Sequence, residues 1–154
     1  MSIFVLVPML YLAVVTVPLA VTDARSHRLP NALVVPGLVV SAWAVVGVGM
    51  RDPPAVAAPL AAAGAAALVF GAGRALGGVG MGDVKLGLLL AGVAGMTDAR
   101  ILPGAAGATA VLAGVSAATC VMAEKLPLAS ARIPLGPPLL GGFWCGVLTT
   151  IVAP

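Results

Sequence analysis

Two aspartates in this 154-residue chain, Asp23 and Asp83, stand in settings that could support catalysis. Each lies at the end of an apolar stretch, the first within TDARSHRLPN and the second within GVGMGDVKL. An ionisable side chain at the end of a membrane helix, in a chain with few charges, indicates a functional site by default. Two carboxyl groups that share a water molecule cannot both ionise easily, so one of them keeps a proton. The two aspartates therefore predict acid–base chemistry.

That chemistry is aspartyl peptide hydrolysis. One carboxylate acts as general base on the water, while its protonated partner polarises the scissile carbonyl and later protonates the leaving nitrogen. Neither step needs a cofactor. Cys120 and Cys145 lack zinc-ligand spacing and are predicted to be buried small side chains. His27 beside two aspartates distant in sequence is a weak metal signal, so we predict no metal site.

The residues around each aspartate suggest how the carboxylates are positioned. Gly80 and Gly82 have no β-carbon, so another chain can pass close to Asp83, which could also cap a helix that begins at Val84. Pro30 favours an extended residue before it and opens the next helix, which predicts a short stiff hairpin after Asp23. Arg25 and Lys85 are predicted to be topology anchors with a second, electrostatic role near the carboxylates.

The composition places these aspartates in a membrane protein. Hydrophobic residues make up 61% of the chain and charged residues only 8%, whereas soluble domains carry about 25% charged residues. Basic residues are scattered singly and are not interleaved with aromatics, which argues against nucleic-acid binding. Short polar breaks between the apolar runs indicate that residues 1–154 form one domain in the lipid bilayer.

The apolar runs predict an all-α, polytopic bundle of six transmembrane helices, at about 20 residues for each span. The predicted spans are residues 3–21, 31–50, 55–73, 84–96, 101–122 and 136–152, of which 84–96 is short. If both termini are outside, the cytoplasmic segments hold six basic residues and the outer segments hold Arg51 and Arg100. The six are Arg25, Arg28, Arg74, Lys85, Lys125 and Arg132. This positive-inside bias predicts that both aspartates face the cytoplasm.

Three motifs together resemble the type IV prepilin peptidase family, the GxGD-type intramembrane aspartyl proteases. The first is Asp23-x-Arg25 followed by Leu29-Pro30-Asn31, and the second is Gly80-x-Gly82-Asp83-x-Lys85. The third is the proline- and glycine-rich segment IPLGPPL at residues 133–139, which is similar to the entry to that family's last core helix. The three occur in the family's order and cover nearly the whole chain.

The resemblance implies that Asp23 and Asp83 are the catalytic pair and that Gly80 and Gly82 shape the second site. It implies pilin-like precursors as partners, each with a short basic leader that is cut just before a long hydrophobic helix. The active site would lie at the cytoplasmic face of the cell membrane. The chain resembles the short form associated with Tad pili or archaeal-type filaments, without the cysteine-rich zinc segment. We therefore expect cleavage without N-methylation; the oligomeric state is left open.

Two other functions fit the same residues. The chain could be a non-enzymatic transport or assembly subunit whose aspartates form a proton or cation site. A transport site should lie near the bilayer midplane and open to both sides, whereas these aspartates are predicted at one face. The chain could also be a catalytically silent relative used as a scaffold, although both motifs are intact.

Overall fold

The computed structural model describes residues 2–26, 29–124 and 135–152. These ranges contain six α-helices and no strand, which confirms the predicted all-α fold. The helices are α1 (Ile3–Ser26), α2 (Asn31–Gly49), α3 (Ala57–Ala75), α4 (Met81–Thr97), α5 (Ile101–Glu124) and α6 (Gly136–Val152). A short 3₁₀ turn, Pro53–Val56, leads into α3.

Within the described residues, four helices are long and apolar enough to cross a membrane: α1, α2, α3 together with its 3₁₀ turn, and α5. Helix α6 is apolar but has only 17 residues, and α4 also has 17. Large apolar side chains cover the outside of the bundle; Val14, Leu68 and Ile151, for example, are each at least 70% exposed. Such a surface would be an aggregation liability in water and suits lipid. The chain is a membrane protein.

Helix α4 lies at the centre of the bundle and packs against all five other helices. Its buried side chains, which include Val84, Leu86 and Ala94, lie on different sides of the helix, and most of the large ones join the main hydrophobic core. Because neighbouring helices surround it, α4 shows no apolar stripe on one face. A helix that is apolar all round is typical of a buried position.

Small residues and a few polar groups hold the helices together, as expected where lipid weakens the hydrophobic drive for helix association. A β-carbon on Gly146 of α6 would lie 2.6 Å from the Ile101 carbonyl oxygen of α5, so these two backbones touch. The Trp144 indole N–H donates to the Thr16 hydroxyl at 2.9 Å, which joins α6 to α1. The Tyr11 hydroxyl donates to the Leu33 carbonyl of α2 at 2.6 Å.

One sequence prediction about a core side chain is wrong. Cys145 is exposed on the outside of α6 and is not buried. A small apolar side chain is as well placed against lipid tails as in the core, so hydropathy alone cannot tell the two positions apart. The side chain of Cys120 lies outside the described part of the chain.

Candidate active site

The ends of three helices, α1, α2 and α4, line a polar pocket of about 290 Å³ at one end of the bundle. Both aspartates line it, Asp23 from the last turn of α1 and Asp83 from the first turn of α4. The other lining residues come from the start of α2, the first turns of α4 and the residues just before these two helices: Leu29, Asn31, Gly80, Met81, Gly82 and Lys85. Two carboxylates 60 positions apart in sequence thus share one cavity.

Asp23 is buried, with only 4% of its surface exposed. Its Oδ2 accepts a hydrogen bond of 2.8 Å from the backbone N–H of Gly136, the first residue of α6. Helix N-termini carry unpaired N–H groups and a partial positive charge, so a carboxylate is stabilised there. A β-carbon on Gly136 would lie 2.7 Å from the same Oδ2, which explains why a glycine suits this position.

Asp83 is held by a different helix start. The structure begins α4 at Met81 and not at Val84, so Gly80 is the N-cap residue and Asp83 lies inside the first turn. This corrects the expectation that Asp83 is itself the cap. Its Oδ2 accepts a hydrogen bond of 3.1 Å from the Gly80 N–H, which satisfies one of the donors left open at a helix start.

The sharp turn before α4 depends on the end of α3. Gly77 has a φ of 81°, a conformation that glycine adopts without steric cost. The Gly78 N–H bonds to the Gly73 carbonyl and the Gly77 N–H to the Arg74 carbonyl, which is the Schellman arrangement of a helix C-terminus. The chain therefore reverses within a few residues and brings Asp83 to the same bundle end as Asp23.

Gly82 lies against the short connection that joins α1 to α2. A β-carbon there would be 2.8 Å from the Leu29 β-carbon. This close approach places Leu29 against the start of α4. Leu29 and Gly82 both line the pocket. A larger residue at position 82 would push these two segments apart.

The remaining predicted site residues divide into two groups. The Lys85 ammonium donates to the Asn31 side-chain oxygen at 3.0 Å, and both residues line the pocket. Pro30 forms the N-cap of α2 and does not line the pocket. Arg25 is exposed at the end of α1 and is also outside the lining.

Several predicted residues lie outside the described ranges. They are His27 and Arg28, the basic residues Lys125 and Arg132, and residues 133 and 134 of the IPLGPPL segment. Within residues 2–26, 29–124 and 135–152, no three His, Cys, Asp or Glu side chains cluster as metal ligands.

The sequence did not predict the hydrogen bond from Gly136 to Asp23, although the segment that contains Gly136 was among the three motifs. The two residues are 113 positions apart, so no local pattern connects them. One signal for this contact was available: Gly136 is a glycine at a predicted helix start, on the same predicted side of the membrane as the aspartates. Leu29 and Met81 were also not chosen as site residues, and neither has a side chain that suggests chemistry.

The pocket offers two carboxylates, backbone donors to each of them and room for water. Asp23 and Asp83 line the same pocket, where two ionised carboxylates would repel each other. The start of α6 and the start of α4 oppose that repulsion, because each places backbone N–H groups toward one carboxylate. The volume is ample for a water molecule, which occupies about 30 Å³ in the liquid. General acid–base catalysis at this position is therefore sterically possible.

Comparison with known proteins identifies the family of this chain. The model of the type IV leader peptidase family matches residues 10–123, a range that covers most of the chain and contains both aspartates. No curated protein and no solved structure matches the chain. The chain belongs to the type IV leader peptidase family.

Proposed function

We propose that this membrane protein is an aspartic endopeptidase that uses Asp23 and Asp83 to hydrolyse one peptide bond of a pilin-like precursor. The observation that carries the proposal is the shared pocket, in which carboxylates from α1 and α4 meet at one end of the bundle. Membership of a leader peptidase family supplies the reaction class.

In the proposed reaction, a water molecule lies between the two carboxyl groups. The ionised carboxylate takes a proton from this water as its oxygen attacks the scissile carbonyl carbon. The protonated carboxyl donates a hydrogen bond to the carbonyl oxygen, where negative charge develops. When the C–N bond breaks, the leaving nitrogen takes a proton from a carboxyl group. Neither aspartate forms a covalent bond to the substrate.

The proposed substrate is a precursor whose short basic leader precedes a long apolar helix, cut at the cytoplasmic face of the cell membrane. We further propose that the chain cleaves without methylating the new N-terminus, since its two cysteines cannot form a cysteine-rich zinc segment. The acidic pocket and Lys85 would both contact the precursor near the cut. Tad-type or archaeal-type pilins are the precursors that we would test first.

The position of the pocket favours hydrolysis over ion transport. A transport site needs access from both membrane faces and usually lies near the bilayer midplane. Asp23 and Asp83 instead lie where helices end or begin, beside the loops of one bundle end. A peptide bond next to a membrane helix can reach such a position from the aqueous side.

Co-expression with a pilin-like precursor, followed by mass analysis of the mature N-terminus, tests the proposal. We expect the wild-type chain to produce one shortened, unmethylated product, and Asp23→Asn and Asp83→Asn to produce none. Asp52→Asn and Asp98→Asn make the same chemical change in the loop before α3 and at the C-terminus of α4. These controls should cleave normally. Wild-type cleavage by Asp23→Asn or Asp83→Asn would refute the proposal.

A further inference from the structure

A second cavity, much less polar than the first, lies among the helices of the bundle. Helices α3 and α5 form its two walls and α4 and α6 form its floor, around a volume of about 420 Å³. Helix α3 packs mainly on α4, and α5 packs mainly on α6, so a groove remains between the two walls. We call this the α3–α5 groove.

The chemistry of the α3–α5 groove suits a helix. Its walls carry alanines at helical spacing, at positions 62, 65 and 66 of α3 and 105, 106 and 110 of α5. Thr109 is the one polar side chain among the residues that line it. Small side chains let a further helix approach closely in a membrane. Alanines alone would indicate only packing, but here they border an open cavity.

Helix α4 contributes residues both to the groove and to the pocket that holds the two aspartates. Gly87, Leu90 and Ala94 of α4 line the groove, and they follow Asp83 at intervals of four, seven and eleven residues. Side chains at this spacing lie on one face of a helix. On α6, Leu139 lines the groove one turn beyond Gly136, whose N–H binds Asp23. The groove thus begins about one helical turn from Asp83 along α4, and about one turn along α6 from the residue that binds Asp23.

This position of the groove beside the two aspartates indicates its occupant. Consider a substrate that is cut at Asp23 and Asp83, the proposed catalytic dyad. On one side of the cut it continues toward the aqueous face, and on the other side it continues into the membrane. Inside the bilayer, a peptide backbone must satisfy its own hydrogen bonds, so the inserted part has to be an apolar helix. From Ala62 to Phe70 the α3 wall rises about 12 Å, at 1.5 Å for each residue. That length matches the first two to three turns of such a helix.

We propose that the α3–α5 groove binds the start of the precursor's apolar helix and so positions the scissile bond at Asp23 and Asp83. This inference rests on the proposed peptidase function. The groove would select substrates by the shape and apolarity of the residues that follow the cut, while the polar pocket would contact the residues before it.

Substitutions that fill the groove with larger side chains test this proposal. Ala65 and Ala106 line it and are themselves exposed, so a leucine at either position fills space without disturbing the core. Ala61→Leu and Ala118→Leu are matched controls, because both residues are exposed on the same helices and neither lines the groove. We expect Ala65→Leu and Ala106→Leu to raise KM for a full precursor about tenfold, with the controls unchanged. Cleavage of a short peptide that lacks the apolar segment should not change in any variant.

Cross-linking gives a second measurement that does not depend on turnover. With Cys120 and Cys145 replaced by serine, Ala106→Cys should form a disulfide with a precursor that carries one cysteine in the second turn of its apolar segment. Ala118→Cys should not. Disulfide formation by Ala118→Cys at the same yield would overturn the proposal, and so would an unchanged KM in both groove variants.

The outcomes also separate the two proposals. If the wild-type chain cuts precursors but the leucine variants only displace a co-purifying lipid or change the oligomeric state, the groove proposal fails and the peptidase stands. If the wild-type chain cuts no precursor, the peptidase proposal fails. A cross-link from Ala106→Cys would then still show that the groove binds an apolar helix.

Discussion

The two carboxylates are held by backbone donors from two different helix starts, and this arrangement makes Gly136 the most informative residue outside the dyad. Its N–H donates to Asp23 Oδ2 at 2.8 Å. Its missing β-carbon leaves room for that oxygen, since an added β-carbon would be only 2.7 Å away. The position therefore determines where the buried carboxylate points.

We expect Gly136→Ala to lower kcat by roughly 10- to 100-fold, because a displacement of about 1 Å can cost a catalytic site two orders of magnitude. Alanine favours a helix over glycine by about 1 kcal/mol, so unfolding is not the expected cause. Steady-state kinetics and thermal unfolding of the purified variant would check this. Gly107→Ala is the control, as its added β-carbon meets nothing within 4 Å. A normal kcat for Gly136→Ala would contradict the assigned role.

Lys85 is the only ammonium group that lines the pocket within the described residues, and Asn31 holds it at 3.0 Å. We expect Lys85→Met to reduce kcat/KM by roughly three- to tenfold, corresponding to a net loss of about 1 kcal/mol for one hydrogen bond. Arg74→Met removes a basic residue near the same bundle end but outside the pocket, and it should have no such effect. Equal losses in both variants would indicate a general effect of charge on topology or association.

At the scale of helices, the contact between α5 and α6 positions the start of α6 and therefore Asp23. A β-carbon on Gly146 would meet the Ile101 carbonyl oxygen at 2.6 Å and the Ala105 nitrogen at 2.8 Å. Both of these are backbone atoms, which cannot rotate away as a flexible side chain could. The two helices would have to separate.

We therefore expect Gly146→Ala to destabilise the bundle by about 1–3 kcal/mol, the usual cost of overpacking. Thermal unfolding in detergent micelles would measure the change. Gly114→Ala on α5 is the matched control, since nothing lies within 4 Å of its added β-carbon. A Gly146→Ala protein as stable as the control would show that the α5–α6 contact is looser than described.

Hydropathy alone was sufficient to predict the helices, because each apolar run between polar breaks became one helix. The run at residues 84–96 was short because α4 begins earlier, in the glycine-rich sequence at Met81. Local sequence could not predict that α4 would be central, since this depends on which helices pack together. The Gly136–Asp23 bond was unpredictable for the same reason, as only tertiary packing brings α6 to α1.

At the scale of the whole molecule, the helix ends and loops that line the pocket lie at one end of the bundle. The distribution of basic residues predicts that this end is cytoplasmic. In that orientation, the turn before α3 faces outward and the turn after α3 faces the cytoplasm. Ala55 and Leu76 lie in these two turns, and both are exposed.

Thiol labelling can test this orientation in a chain whose Cys120 and Cys145 are replaced by serine. We expect a membrane-impermeant reagent to label Ala55→Cys in intact cells and Leu76→Cys only after the membrane is opened. The reverse pattern would place the dyad on the outer face. Precursors would then have to be cut after export of the leader.

The central claim is that Asp23 and Asp83 act as one catalytic unit. The most direct test is a double-mutant cycle on the purified chain, measuring precursor cleavage by Asp23→Asn, Asp83→Asn and the variant that carries both changes. We predict that each single change lowers kcat by at least about 10²- to 10⁴-fold, the range for loss of general acid–base catalysis. The double variant should be no worse than the more damaged single variant, because groups that act as a unit are not additive. Near-normal cleavage by either single variant, or losses that multiply in the double variant, would contradict the claim.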